Sequence, residues 1–277
     1  MHSELLSASD NTCLNSHAQS TRNPWFAYVR PRPKARFRLF CLPYAGGSAL
    51  IYRNWAEYLP PWIELVPLQL PGRGTRAYEP PFVSMDLLVD SLKATIASCF
   101  DKPFMLFGHS MGAAICFELA HRLRSEQREP FHLFLSGRAA PQVSRHDSFT
   151  FNLPEPEFLD EIRRLNGTPS EVLAHKELLA FILPILRADF ELIQKYAYVP
   201  KSMLTCPITV FGGLSDDNVS GEDLWAWRHQ SSGSFRMLMF PGDHFFLHDK
   251  KHLIIKSIVE QLKASHPDEV SIPSDYL

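Results

Sequence analysis

A serine between two glycines is the residue in this chain whose surroundings best suit covalent chemistry. Ser110 lies in the segment Gly108-His109-Ser110-Met111-Gly112, which follows an apolar run and precedes a helical pattern. The pattern G-x-S-x-G at a strand-to-helix turn is typical of a nucleophile elbow, where strained backbone presents the serine hydroxyl above the sheet. Such a turn is too sharp for side chains at the two glycine positions. The sequence therefore predicts Ser110 as a nucleophile, against the alternative of an idle serine in a glycine-rich turn.

A serine hydroxyl needs a general base, and the base needs an acid that orients it. In this type of turn the expected chain order is serine, then acid, then histidine. His244 follows the last strand candidate on a loop, whereas its rival His248 lies close to the start of the final helix. Asp216 and Asp217 both follow the preceding strand candidate. Because they are adjacent, only one of them can face the histidine.

The negative oxygen formed when a serine attacks a carbonyl also needs hydrogen-bond donors. The backbone N–H of Met111, directly after the nucleophile, is one candidate donor. The second should come from a loop after an early strand, and the glycine-rich segment 42–47 is that loop. Tyr44 or Ala45 would donate there. Losing one such donor typically costs on the order of 10²–10³ in rate.

Alternating strand and helix patterns supply the frame for these residues. Short apolar runs closed by glycine or proline are typical of strands covered on both faces. We find them at 36–44, 64–70, 103–108, 132–136, 207–211 and 235–240. Helical patterns lie between or after them at 84–100, 113–124 and 252–264. This alternation predicts an α/β fold with a mainly parallel central sheet and flanking helices.

The stretch 146–200 interrupts this alternation, because it holds only helical patterns, at 156–165 and 170–198. Pro184 is expected to kink or split the longer one. In open parallel sheets the ligand lies beyond the carboxyl ends of the strands, so an insertion here predicts a lid over the site. We thus expect a flexible tail at 1–34, one domain at 35–265 that includes this lid, and a short tail at 266–277.

Composition excludes several classes of protein. The chain has 277 residues, 45% apolar and 21% charged, with a net charge of −2. This balance argues against general disorder and against the basic surface that nucleic-acid binding needs. There is no apolar run of about 18 residues for a membrane span and no signal peptide in the first 23 residues. No cysteine or histidine cluster has metal-ligand spacing, so we expect no metal site.

The five cysteines are scattered, and three of them lie in or beside apolar runs. These three, Cys41, Cys116 and Cys206, are typical of reduced, buried thiols in a cytoplasmic protein. A thiol nucleophile at Cys41 or Cys116 is the weaker hypothesis, since neither has a base beside it in the sequence.

Several blocks of the sequence resemble the type II thioesterases, stand-alone α/β-hydrolases that accompany nonribosomal peptide and polyketide synthases. Fatty-acid chain-terminating thioesterases are close relatives of that family. The matching blocks occur in the family's order, span roughly residues 36 to 262, and read LPYAGGSALIYRNWAEYLP, LQLPGRGTR, GHSMG, LSGRAAP, LRADFELI, FGGLSDDNVSGEDLWAW and FPGDHFFL. G-x-S-x-G is generic to hydrolases, whereas LPGRGTR and RADFEL are far more specific.

The resemblance implies a serine thioesterase with a helical lid. Its nucleophile is Ser110, its general base His244 and its acid Asp216, which matches the acid of the family's GG-x-x-D pattern and settles the choice against Asp217. Many members have proline where Asp217 stands, which is a departure. Ala45 and Met111 match the oxyanion donors.

The resemblance also implies partners. The substrate is an acyl group on the phosphopantetheine arm of an acyl or peptidyl carrier protein, or on CoA, and the enzyme itself needs no cofactor. The usual role is editing, in which stalled or wrong acyl groups are removed. We expect a cytoplasmic monomer that binds neither nucleic acid nor membrane. The alternatives are a carboxylesterase or acyltransferase with the same triad, or a catalytically silent partner of a synthase.

Four charged residues in the family-like blocks have two readings. Arg73, Arg76 and Arg138 are expected to be structural, since an arginine in a glycine- or proline-rich turn often pairs with loop carbonyls. The alternative is that they contact a phosphate or a carrier protein. Asp189 is expected to form a lid ion pair or a cap rather than to act in catalysis.

Overall fold

A single six-stranded parallel sheet forms the centre of the molecule, and every strand that the sequence predicts is present. The computed structural model describes residues 23–143 and 149–265. The strands are β1 (Phe37–Leu42), β2 (Ile63–Pro67), β3 (Phe104–His109), β4 (His132–Ser136), β5 (Ile208–Gly213) and β6 (Phe235–Phe240), in the spatial order β2-β1-β3-β4-β5-β6. All five pairings are parallel. Five of the strands are buried along their whole length, as continuous apolar runs predict.

Helices cover both faces of this sheet. They are α1 (Met85–Ile96), α2 (Met111–Arg124), α3 (Glu155–Leu165), α4 (Ser170–Ala174), α5 (Lys176–Gln194), α6 (Gly221–Trp225) and α7 (Lys251–Ser265). α1 and α2 contribute to the buried apolar cluster on one face, together with Trp227. The other face packs against α7 and the short 3-10 turns at Ala49–Tyr52 and Trp55–Glu57. This is the predicted α/β arrangement of a parallel sheet with flanking helices.

The helices between β4 and β5 divide at a different residue from the one expected. The long pattern at 170–198 breaks at His175, whose backbone is extended (φ −95°, ψ 107°), into α4 and α5. Pro184 was expected to kink or split this helix; it lies inside α5 and does not split it. A proline in a helix removes one backbone donor and crowds the carbonyl four residues before it, and Pro184 lies at an exposed position. Burial of Ile185 and Leu186 directly after it holds the second half in place.

Part of the predicted amino-terminal tail packs against the domain. Phe26 pairs with Leu68 in an isolated antiparallel bridge. The Arg32 guanidinium donates to four backbone carbonyls, those of Ala56, Leu59, Pro60 and Ile63. Residues 23–34 are therefore held against the domain by contacts that no local sequence pattern predicts. The rest of that tail (1–22), residues 146–148 of the insertion and the tail 266–277 lie outside the described residues.

Three cysteines, Cys41, Cys116 and Cys206, are free and buried. Burial raises the pKa of each of these thiols. Cys99, which is not one of the three cysteines expected to be reduced, is disulfide-bonded. Within the part of the chain that the structure describes, no helix is both long and apolar enough to cross a membrane.

Candidate active site

Ser110 occupies the sharp turn between β3 and α2. Its backbone is in the left-handed region (φ 53°, ψ −113°), where a residue other than glycine is strained. The flanking glycines allow close approach of three segments: a Cβ on Gly108 would lie 2.1 Å from the Gly112 carbonyl oxygen, and one on Gly112 would lie 2.2 Å from that of Leu42. The strain is held by these contacts and by a hydrogen bond of 2.7 Å from the Ser110 amide to the Ser136 carbonyl.

His244 and Asp216 meet at the carboxyl end of the sheet. Nδ1 of His244 lies 2.7 Å from Oδ2 of Asp216, and only 13% of the histidine side chain and 1% of the aspartate side chain is exposed. The other carboxylate oxygen, Oδ1, accepts from the backbone amides of Asn218 (2.8 Å) and Val219 (3.2 Å). Oδ1 is thus held by the backbone of the aspartate's own loop, and Oδ2 faces the imidazole.

The two rival residues lie elsewhere in the site. Asp217 is exposed and lines the cavity described below. Nε2 of His248 lies 2.9 Å from the Tyr44 hydroxyl. Burial lowers the pKa of His248 and raises that of Tyr44 to about 12, so at neutral pH we expect a neutral imidazole that accepts from a phenol.

A cavity of about 460 Å³ brings the predicted residues together. Ser110 and His244 line it, as do Ala45 and Met111, whose amides are the predicted oxyanion donors. Met111 is the first residue of α2, so its amide is among those that a helix leaves unpaired. The insertion supplies much of the wall, including Ile162, Leu165, Leu186, Phe190 and Ile193. Sequence reasoning did not find these wall residues, because nothing in their spacing shows which helix face meets the sheet.

His109, beside the nucleophile, is fully buried and packs beneath His244. The two ring centroids are 5.2 Å apart, and Nδ1 of His109 lies 2.8 Å from the Ser136 hydroxyl. Burial lowers the pKa of His109 well below its usual value, and the neighbouring His244 and His248 lower it further. His109 is therefore neutral near pH 7 and places no positive charge beside His244, the predicted general base.

The four charged residues of the specific blocks divide between structural contacts and the cavity. Arg73 and Asp189 form a buried ion pair, with Nη1 to Oδ2 at 2.5 Å and Nη2 to Oδ1 at 2.7 Å. Arg76 pairs with Glu79 and lies over the Trp25 ring, 4.1 Å from its centroid. These contacts match the structural reading of Arg73 and Arg76 and the lid ion pair expected for Asp189. Arg138 lines the cavity, and its carbonyl accepts from the Trp227 indole.

Metal-assisted chemistry would need a cluster of ligands. Among residues 23–143 and 149–265, no group of three or more histidine, cysteine, aspartate or glutamate side chains is arranged to hold a metal ion.

The sequence matches a known family over most of its length. The family model described as "Thioesterase domain" covers residues 37–265, which includes the elbow, the loop of Asp216 and the loop of His244. The chain belongs to the thioesterase family. The predicted resemblance is thereby confirmed.

Relatives in this family come from antibiotic biosynthesis and from fatty-acid synthesis. The gramicidin S biosynthesis protein GrsT of Aneurinibacillus migulanus is 42% identical over 242 residues, which is 87% of this chain and 94% of that protein. The medium-chain S-acyl fatty acid synthase thioesterase of Homo sapiens is 34% identical over 87% of this chain and 92% of that protein.

Solved thioesterase structures share the architecture. The type II thioesterase BorB from the borrelidin biosynthetic cluster superposes with a TM-score of 0.78 at 34% identity, over 88% of this chain and 99% of that one. The prodiginine-pathway thioesterase RedJ of Streptomyces coelicolor gives 0.77 at 34% identity, over 82% and 91%. These thioesterases have the α/β-hydrolase fold, which is accordingly the fold of this chain.

Proposed function

We propose that this thioesterase hydrolyses acyl thioesters on the phosphopantetheine arm of carrier proteins and so removes stalled or incorrect acyl groups from a nonribosomal peptide or polyketide synthase. The observation that carries the proposal is the 2.7 Å contact between His244 and Asp216, because His244 lines the same cavity as Ser110. Family membership supports the thioester as substrate. A cytoplasmic location belongs to the proposal and rests on the family likeness.

The proposed reaction has two halves. Oγ of Ser110 attacks the thioester carbonyl while Nε2 of His244 takes the serine proton, and Asp216 stabilises the imidazolium. The amides of Ala45 and Met111 donate to the developing oxyanion. The C–S bond then breaks, His244 returns the proton to the pantetheine sulfur, and the acyl group is left as an ester on Ser110. Water repeats the cycle, releasing the carboxylic acid and restoring the serine hydroxyl.

The shape of the site suits a substrate with a long arm. A second cleft of about 570 Å³ adjoins the cavity and shares Tyr44, Phe245, Gly167 and Thr168 with it. The apolar side chains of α3 and α5 line the cavity itself. We infer that the cavity takes the acyl chain and that the adjoining cleft admits the arm that carries it.

A panel of substrates tests the proposal. Purified protein is assayed against acyl-loaded carrier proteins, acyl-CoAs and simple oxygen esters, with Ser110→Ala as the control. We expect kcat/KM for carrier-bound thioesters to exceed that for oxygen esters by at least about 10²-fold, and Ser110→Ala to lose about 10⁶ in kcat. Preference for oxygen esters would instead indicate a carboxylesterase, and transfer to an acceptor other than water an acyltransferase. No turnover of any substrate by folded protein would favour a silent binding partner.

A further inference from the structure

Asp189 belongs to α5 in the insertion, yet its carboxylate reaches the loop that follows β1. The side chain is buried. Oδ2 accepts a hydrogen bond of 2.7 Å from the Gly46 amide in addition to its contact with Arg73. Gly46 directly follows Ala45, one of the two residues assigned to the oxyanion hole.

Arg73 joins a third segment to this contact. It is buried in the loop after β2, where its Nε donates to the Pro71 carbonyl at 3.1 Å. Its Nη1 also donates to the Gly47 carbonyl at 3.3 Å. The pair therefore contacts the loop at 42–47, which we call the oxyanion loop, at two points. These are the N–H of Gly46 and the C=O of Gly47. Two-pronged guanidinium–carboxylate pairs of this kind fix geometry as well as adding energy.

We propose that Asp189, with Arg73, is a positioning residue for the oxyanion hole, an inference that rests on the proposed function. The peptide units on the two sides of the Ala45 α-carbon are each planar, so only the φ and ψ of Ala45 separate the Ala45 amide from the Gly46 amide. Holding the second amide therefore restricts the first. The arginine also neutralises the carboxylate, which would otherwise repel a nearby oxyanion.

The same contacts anchor the second half of α5. Leu186 covers Gly46 so closely that a Cβ on this glycine would lie 2.5 Å from a leucine methyl group. The half of α5 after Pro184 therefore packs directly on the loop that holds Ala45. Before Pro184, Leu178 and Phe181 of the same helix are exposed.

The test compares ground-state and transition-state binding in Asp189→Asn. The substitution keeps the size of the side chain but loses the two-pronged pair. We expect kcat for an acyl-carrier thioester to fall by about 10²-fold with less than a threefold change in KM. The affinity for an alkyl boronic acid, whose boron takes the place of the carbonyl carbon in the tetrahedral adduct on Ser110, should fall in parallel. The affinity for an uncleavable alkyl-pantetheine thioether should stay within threefold, because this ligand makes no oxyanion.

Glu191→Gln is the matched control. It removes a carboxylate from the same helix, but this carboxylate pairs with Lys195 at the surface. Its kinetics should equal those of wild type. If Asp189→Asn leaves too much unpaired charge to fold, the double variant Arg73→Gln/Asp189→Asn removes both charges and allows the same comparison.

The outcomes separate this inference from the proposed function. Wild-type protein that cleaves no acyl thioester contradicts the proposed function. If the wild type is active, a folded Asp189→Asn with unchanged kcat overturns the positioning role. Equal losses of boronic acid and thioether affinity overturn it as well, because they indicate general damage to the site.

Discussion

Nδ1 of His244 lies 2.7 Å from Oδ2 of Asp216, although 28 positions separate the two residues in the chain. The loops after β5 and β6 bring them together, because neighbouring parallel strands end at the same edge of the sheet. In the proposed reaction, this aspartate holds a proton on Nδ1 of the imidazole, so that Nε2 can take the proton of the serine.

Replacing Asp216 by asparagine should remove this control with little change in shape. Asp216→Asn is expected to lower kcat by about 10³–10⁴, because the amide no longer favours the required tautomer or stabilises the imidazolium. Steady-state thioester hydrolysis measures the change. Asp217→Asn is the control, and its kcat should stay within about twofold of wild type. Equal losses in the two variants would contradict the assignment.

Gly137 should be irreplaceable for reasons of space and backbone conformation. Its φ is +59°, and a Cβ there would lie 2.6 Å from Cε1 of His109. Gly137→Ala is expected to lower the free energy of unfolding by about 1–3 kcal/mol, measured by urea denaturation. Gly221→Ala, at a position with nothing within 4 Å, should change it by less than about 0.5 kcal/mol. An unchanged free energy of unfolding in Gly137→Ala would contradict the close packing of Gly137 against His109.

Acid should destabilise the protein through the half-buried His121. Burial lowers the pKa of His121 from 6.5 to about 4. The unfolded chain therefore binds a proton before the folded one does, and the free energy of unfolding falls as the pH drops from about 6.5 towards 4. We expect His121→Gln to lose less stability than wild type between pH 7.5 and 5.0, measured by urea denaturation. Identical losses would show that His121 is not the source.

The buried free thiols should be inert in the folded protein. Cys41 and Cys116 are fully buried, and burial raises the pKa of both. Peptide mass spectrometry after treatment with iodoacetamide should find both unmodified in native protein and both alkylated in urea. Rapid alkylation of Cys116 in native protein would revive the hypothesis of a thiol nucleophile.

Patterns along the chain were enough to predict the sheet and the loops that carry the chemistry. Each strand corresponds to a short apolar run in the sequence, and His244 follows the last of these runs. The choice between Asp216 and Asp217 needed the family resemblance, because two adjacent loop carboxylates look alike in a sequence.

Contacts between distant segments could not be predicted in the same way. The Gly46–Asp189 hydrogen bond joins residues 143 positions apart, and no spacing relates a lid helix to an oxyanion loop. The continuity of α5 through Pro184 likewise goes with the burial of Ile185 and Leu186, which no local pattern predicts. The packing of residues 23–34 depends on carbonyls that become available only when the 3-10 turns and β2 have formed.

The central claim is that Ser110 carries the acyl group, and peptide mass spectrometry tests it most directly. The enzyme is mixed with an acyl-pantetheine thioester, quenched in acid within the first turnover and digested. We predict that the acyl mass lies on the peptide that contains Ser110 and is absent from Ser110→Ala. Acyl transfer to any other residue, or thioester hydrolysis that survives Ser110→Ala at the wild-type rate, would contradict the account.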